Sequence, residues 1–115
     1  RDLHSFPTRR SSDLYSYLQA KAAAAPLLAT FTELFEQRYD AILTPAVAGT
    51  APAGLESTGE PTFCTLWTML GLPAVSLPLL QGANGLPLGV QLVGPRHGDA
   101  RLLRTARWLA ESVGV

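Results

Sequence analysis

The sequence predicts an α/β fold in which a mixed sheet is flanked by helices, and it predicts that this fold is incomplete as a domain. Apolar stripes at three- and four-residue spacing mark helices near both ends of the chain. Between them, short apolar runs stop at proline, glycine or a polar residue, as strands do. Two or three strands and two long helices leave sheet edges and faces uncovered, although 47% of the 115 residues are hydrophobic.

The first fourteen residues, Arg1-Asp-Leu-His-Ser-Phe-Pro-Thr-Arg-Arg-Ser-Ser-Asp-Leu14, read as a non-native segment. They resemble one reading-frame translation of a widely used short-read sequencing adapter. A segment of that origin was never selected to pack, so residues 1–14 are expected to be unstructured and to contribute nothing to the fold. The alternative is a natural basic arm, which would carry a longer basic run. The fold is therefore read from residues 15–115.

Residues 15–38 read as helical, with Lys21 to Ala25 strongly helix-favouring. Pro26 lacks an N–H to donate to the preceding turn, so a kink or a fresh helix start is expected there. Leu27, Leu28, Phe31, Leu34 and Phe35 form one apolar stripe, with Glu33, Gln37 and Arg38 off it. Tyr39 and Asp40 close this helix. Ala41 to Leu43, ending at Thr44-Pro45, suits a buried strand of a largely parallel sheet. Residues 46–61 form a long loop punctuated by Gly49, Pro52, Gly54, Gly59 and Pro61.

Residues 63–70 read as a short helix with Gly71 as its C-terminal cap. Residues 74–77 and 88–93 read as two antiparallel strands joined through the Asn84-Gly85 turn signal. Asp99 is placed as the N-cap of the last helix. There Leu102, Leu103, Ala106 and Leu109 form the buried stripe, and Arg101, Arg104 and Arg107 point largely to solvent.

Composition excludes several function classes. The whole chain has a formal charge of zero, and residues 15–115 carry minus one, so nothing marks a nucleic-acid partner. No apolar run reaches the length of a membrane span. The single cysteine, Cys64, rules out an intrachain disulfide framework and favours the cytosol. Gly82, Gly85 and Gly89 do not match a dinucleotide- or phosphate-binding spacing. There is no Gly-x-Ser-x-Gly nucleophile elbow. One histidine and one cysteine far apart in residues 15–115 make no metal site.

Single residues offer little catalytic chemistry. Lys21, the only lysine, sits in an alanine-rich exposed stretch and reads as solvated. Cys64 has no local basic neighbour to activate it, so it reads as a small buried or pocket-lining residue. His97 follows Pro95 in a polar loop and reads as a surface residue. Ser76 lies inside an apolar strand and is expected to be hydrogen-bonded there. Trp67 reads either as core or as the wall of a ligand pocket.

Three ordered stretches carry a family resemblance: Tyr39-Asp-Ala-Ile-Leu-Thr-Pro45, Phe63-Cys-Thr-Leu-Trp-Thr-Met-Leu-Gly-Leu-Pro-Ala-Val-Ser-Leu-Pro78, and Gly85-Leu-Pro-Leu-Gly-Val-Gln-Leu-Val-Gly-Pro95, followed by the Leu102-Leu103 helix. Together they resemble the C-terminal part of an amidase-signature enzyme, across essentially all of residues 15–115. The resemblance implies a parent amide hydrolase that works through two serines and a lysine, with a small-molecule amide as substrate and no metal or organic cofactor. It matches none of those catalytic residues to this chain, so the chain alone is expected to be inactive. It does imply that residues just before Gly71-Leu72-Pro73 approach the substrate, which points to Phe63, Cys64 and Trp67.

A related branch of the same family is the amidase-like component of the glutamine-dependent transfer-RNA amidotransferases, in which an acidic residue near the start of this segment helps to hold glutamine. The corresponding place here is around Pro61, with Glu60 one residue earlier, and Trp67 stands where a small residue is expected. Both departures favour a stand-alone amidase. A third alternative is a small non-enzymatic α/β binding domain. No membrane or nucleic-acid partner is expected in the first reading.

Overall fold

The computed structural model describes residues 6–59 and 61–114. Six elements follow in order: α1 (Phe6–Gln37), β1 (Ile42–Pro45), α2 (Thr65–Leu70), β2 (Ala74–Gln81), β3 (Pro87–Val93) and α3 (Asp99–Ser112). The three strands form one sheet in the order β1-β3-β2. The α/β arrangement is as the sequence implies, and so is the antiparallel pairing of β2 with β3.

β1 departs from expectation. It pairs antiparallel with β3, setting Leu43 opposite Leu92 and Thr44 opposite Gln91. It is an edge strand with alternating half-buried and exposed residues, not a buried strand of a parallel sheet. A short apolar run does not reveal its pairing partner, because burial on one face and burial on two produce the same composition over four residues.

β2 extends beyond Leu77 to Gln81, and its register against β3 shifts between Leu77 and Leu80. Pro78 sits at that irregularity. A proline has no N–H for the ladder and is tolerated on an edge strand or at a bulge. The hairpin closes as the Asn-Gly signal predicts. Gly82 N–H donates to the Leu86 carbonyl at 2.9 Å, Asn84 Oδ1 accepts from Leu86 N–H at 3.2 Å, and Gly85 adopts φ 82°. Asn84 Nδ2 also donates to Thr50 Oγ1 at 3.0 Å, which ties the long loop after β1 to the hairpin tip.

The helices differ from expectation at their ends. α1 begins at Phe6, upstream of Tyr15, and runs through Pro26 as one helix. The expectation that residues 1–14 are unstructured is therefore corrected for residues 6–14; residues 1–5 lie outside the described residues. Asp13, Leu14, Tyr15, Tyr17 and Leu18 are all exposed, so this stretch of α1 buries little side-chain surface. On the stripe, Phe35 is buried and Leu28, Phe31 and Leu34 are half-buried, but Leu27 is exposed.

In α3 the N-cap is Gly98, and Asp99 is the first helical residue, where its carboxylate faces the positive helix end. Leu102 and Ala106 are buried, whereas Leu103 is 61% exposed. Arg101 is not directed to solvent: its Nη2 donates to the carbonyls of Phe35 at 3.4 Å and Tyr39 at 3.2 Å, and to Asp40 Oδ1 at 3.0 Å. One guanidinium thus holds the start of α3 against the carbonyl end of α1, where the helix dipole favours a cation.

Two cores lie on opposite faces of the sheet. On one, Ala24, Phe35, Trp67, Leu70, Leu72 and Val93 pack together with Phe31 and Ile42. On the other, Leu92, Leu102 and Ala106 pack with Ala41, Val75, Leu77 and Leu109. The radius of gyration is 17.7 Å, against roughly 13 Å for a compact chain of this length. Trp108, Leu103, Leu43 and Leu14 are among many large apolar side chains left exposed. This is the open, partly covered sheet that the element count predicts.

α2 ends in a Schellman motif. Leu72 N–H reaches the Trp67 carbonyl at 3.1 Å, Gly71 N–H reaches the Thr68 carbonyl at 3.2 Å, and Gly71 adopts φ 70°. A Cβ at Gly71 would meet nothing closer than Arg96 Nη2 at 3.8 Å, so the demand for glycine is conformational rather than steric. Gly71→Ala is expected to lower stability by about 1–2 kcal/mol, read from the denaturant midpoint. The Arg101 clamp makes a second expectation. Arg101→Ala removes carbonyl partners and should lower stability by about 1–2 kcal/mol. Asp40→Ala removes only an exposed ion pair and should change it by less than about 0.5 kcal/mol. Equal losses in the two variants would show that the ion pair, not the carbonyl contacts, holds the helices.

Candidate functional site

The segment from Pro61 to Gly71 is where sequence places the substrate-facing residues, and the structure gives it a defined shape. Glu60, just before it, lies outside the described residues. The Pro61 carbonyl accepts from Cys64 N–H and Thr65 N–H, both at 3.2 Å, from Thr65 Oγ1 at 2.8 Å and from Cys64 Sγ at 3.3 Å. Those bonds wind the chain into a turn that launches α2. Cys64 is the residue preceding the helix, with no side-chain cap bond.

The three candidate residues take different positions. Cys64 is exposed and lines a cleft of about 560 Å³ between α1 and α2, together with Tyr17, Lys21, Pro61, Thr68 and Met69. Phe63 is half-buried, and its carbonyl accepts from Gln91 Nε2 at 2.8 Å. Trp67 is 8% exposed and meets Phe31 edge-to-face, with ring centroids 5.5 Å apart. Within this chain Trp67 therefore stands in the core between α1 and α2, and Cys64 stands on a cleft.

The remaining sequence candidates fall on the surface. Lys21 is exposed, its Nζ 5.9 Å above the Tyr17 ring. His97 is exposed in the loop before α3, in the left-handed region at φ 64°. Ser76 is exposed on β2 rather than engaged inside the strand. Among the described residues, no group of three His, Cys, Asp or Glu side chains is arranged to hold a metal ion. No described helix is long and apolar enough to cross a membrane.

Sequence reasoning missed Gln91. It is the one polar residue among the buried side chains described, 7% exposed on the central strand. Its Nε2 donates to Thr44 Oγ1 at 3.1 Å on β1 and to the Phe63 carbonyl at 2.8 Å before α2. A neutral amide in an otherwise apolar strand was the available signal: a polar group placed there must find partners.

A second open groove, of about 760 Å³, lies between β1 and α3. It is lined by Leu43, Leu92, Trp108 and Leu109 with Arg38 and Arg104 at its rim. It is the uncovered part of the sheet face that α3 packs on.

The placement of Trp67 sets a stability expectation. Trp67→Ala should lower the unfolding free energy by about 3–5 kcal/mol, as for other buried aromatic truncations, seen as a large fall in melting temperature. A melting temperature within a few degrees of the unmodified chain would move Trp67 out of the core and onto a pocket wall.

The family model Amidase matches residues 1–103. The A subunit of mitochondrial glutamyl-tRNA(Gln) amidotransferase from Mus musculus is 32% identical over 106 residues, covering 84% of this chain and 20% of that protein. The A subunit of glutamyl-tRNA(Gln) amidotransferase from Hyphomonas neptunium is 36% identical over 103 residues, covering 84% of this chain and 21% of that protein. The crystal structure of the A subunit of glutamyl-tRNA(Gln) amidotransferase from Thermotoga maritima superposes with a TM-score of 0.71 at 30% identity, covering 89% of this chain and 24% of that one. The chain thus spans about a fifth of the length of the curated relatives it matches. The family model covers most of the chain, although its span starts at residue 1 and not at residue 15 as the sequence resemblance does, and this chain belongs to the amidase family.

Proposed function

We propose that this chain is the C-terminal part of an enzyme that hydrolyses a carbon–nitrogen amide bond through an acyl-enzyme intermediate. In that reading the chain supplies part of the sheet and part of the substrate-pocket wall, with Phe63 and Cys64 nearest the substrate and Trp67 behind them. The observation that carries the reading is family membership across residues 1–103. The cleft beside Cys64 supports that residue's place on the wall, while Phe63 and Trp67 do not line it.

Amide hydrolysis of this kind needs an activated nucleophile and a group that stabilises the developing oxyanion. In this reading both lie in the part of the parent enzyme upstream of residue 15. Lys21 is the only lysine here. It is solvent-exposed beside Tyr17, which does not provide the desolvated setting of a catalytic lysine. The substrate in this reading is a small-molecule amide, and the reaction uses no metal or organic cofactor.

The second reading is the A subunit of a glutamine-dependent amidotransferase, favoured by the names of the relatives in mouse and Hyphomonas neptunium. Pro61, at the place where that branch carries an acidic residue, argues for the stand-alone hydrolase. Ammonia release from glutamine, compared with release from simple aliphatic and aryl amides by an enzyme with the upstream part restored, separates the two. Preference for glutamine would overturn the first reading.

The chain by itself is expected to release no ammonia from a panel of aliphatic and aryl amides, because loss of the nucleophilic group removes many orders of magnitude in rate. Turnover by the purified chain that disappears in Cys64→Ala or His97→Ala would assign the chemistry to those residues and overturn the proposal.

A further inference from the structure

We infer that Gln91 is the positioning residue of the pocket wall: its side-chain amide holds the Phe63–Cys64 backbone against the sheet. The inference rests on the proposed reading that Phe63 and Cys64 face the substrate. It begins from donor arithmetic. A glutamine amide has two N–H donors. Here Nε2 meets two acceptors in two different segments, the Phe63 carbonyl at 2.8 Å and Thr44 Oγ1 at 3.1 Å. They lie 28 and 47 residues away in sequence. No other side-chain amide or hydroxyl bond among the described residues links β3 to the segment before α2.

The geometry around this bond gives it leverage. Phe63 immediately precedes Cys64, whose Sγ and N–H both donate to the Pro61 carbonyl. The turn that sets the Cys64 side chain on its cleft is therefore fixed at one end by Pro61 and at the other by Gln91. Thr65 N–H and Thr65 Oγ1 share the same Pro61 acceptor, so the start of α2 moves with the turn. β3 is the strand paired on both sides, which makes it the most rigid place from which to hold a loop. Gln91 is 7% exposed, so water does not readily replace the bond once it is lost.

A merely space-filling Gln91 would predict that an apolar side chain of equal length serves as well. Gln91→Met keeps the length and removes both donors. Amide hydrogen exchange of the chain, read at Cys64 and Thr65 against the α3 core amides at Leu102 and Ala106, tests this. The expected result is exchange about five- to tenfold faster at Cys64 and Thr65, with the α3 amides within about twofold of the unmodified chain. A dye attached to Cys64 should show lower anisotropy in the same variant. Thr44→Val removes only the other acceptor and should leave Cys64 and Thr65 within about twofold, while exchange at Ala46, whose N–H donates to the Gly89 carbonyl at 3.2 Å, quickens.

Unchanged exchange at Cys64 and Thr65 in Gln91→Met would overturn the inference. So would acceleration shared equally with α3, which would reduce Gln91 to a contributor to global stability. If Gln91→Met does not fold, Gln91→Asn, which keeps both donors one methylene short, is judged by the same two criteria. None of these readouts depends on amide turnover, so failure of the hydrolase reading and failure of this inference are separately visible.

Discussion

Everything in this chain hangs on β3. It is the strand paired on both edges, with β1 on one side and β2 on the other. Its successive side chains point to opposite faces, as the two-residue period of a strand requires. Leu92 therefore enters the core under α3, while its neighbour Val93 enters the core under α1 and α2 with no exposed surface. Gly94 ends the strand where a Cβ would come within 3.1 Å of the Leu102 Cβ, so the chain stays bare at the point where α3 presses on the sheet. A one-residue slip of β3 would exchange the two cores at once.

Polar contacts then fix what the apolar cores only approximate. Gln91 joins β1, β3 and the approach to α2, and Arg101 joins α3 to the end of α1. Asn84 and Thr50 close the long loop onto the hairpin. Each is a directional bond between segments far apart in sequence, and each restrains a segment that apolar packing alone leaves free to slide. The long loop and the α2 approach are the two irregular segments that flank the candidate site, and both are held by amides from the hairpin.

The exposed apolar surface has a physical reading consistent with family membership. Trp108, Leu103 and Leu43 stand open on the β1 and α3 side of the sheet, and the outer end of α1 carries exposed Leu14, Tyr15, Tyr17 and Leu18. Surfaces of this kind on a chain with a radius of gyration of 17.7 Å are those of a sheet only partly covered. The superposition on about a quarter of the Thermotoga maritima protein agrees with that picture.

Sequence alone determined the features whose cause is local. The Asn84-Gly85 turn, the Gly71 cap, the α2 helix and the buried positions Phe35, Leu102 and Ala106 follow from backbone freedom and from apolar period, which act within a few residues. The ordered motifs also pointed to the family. Tertiary structure decided the rest, for reasons of partner and distance. The antiparallel pairing of β1 depends on a strand about fifty residues later, so four apolar residues could not declare it. Leu27 and Leu103 lie on their helical stripes yet remain exposed, because a stripe marks which face is apolar and not whether anything covers it. Arg101 has the sequence context of a solvated cation, and only the end of α1 places two carbonyls beside it. Gln91 has the sequence context of one polar residue in an alternating strand, and only β1 and the approach to α2 place acceptors at both of its donors.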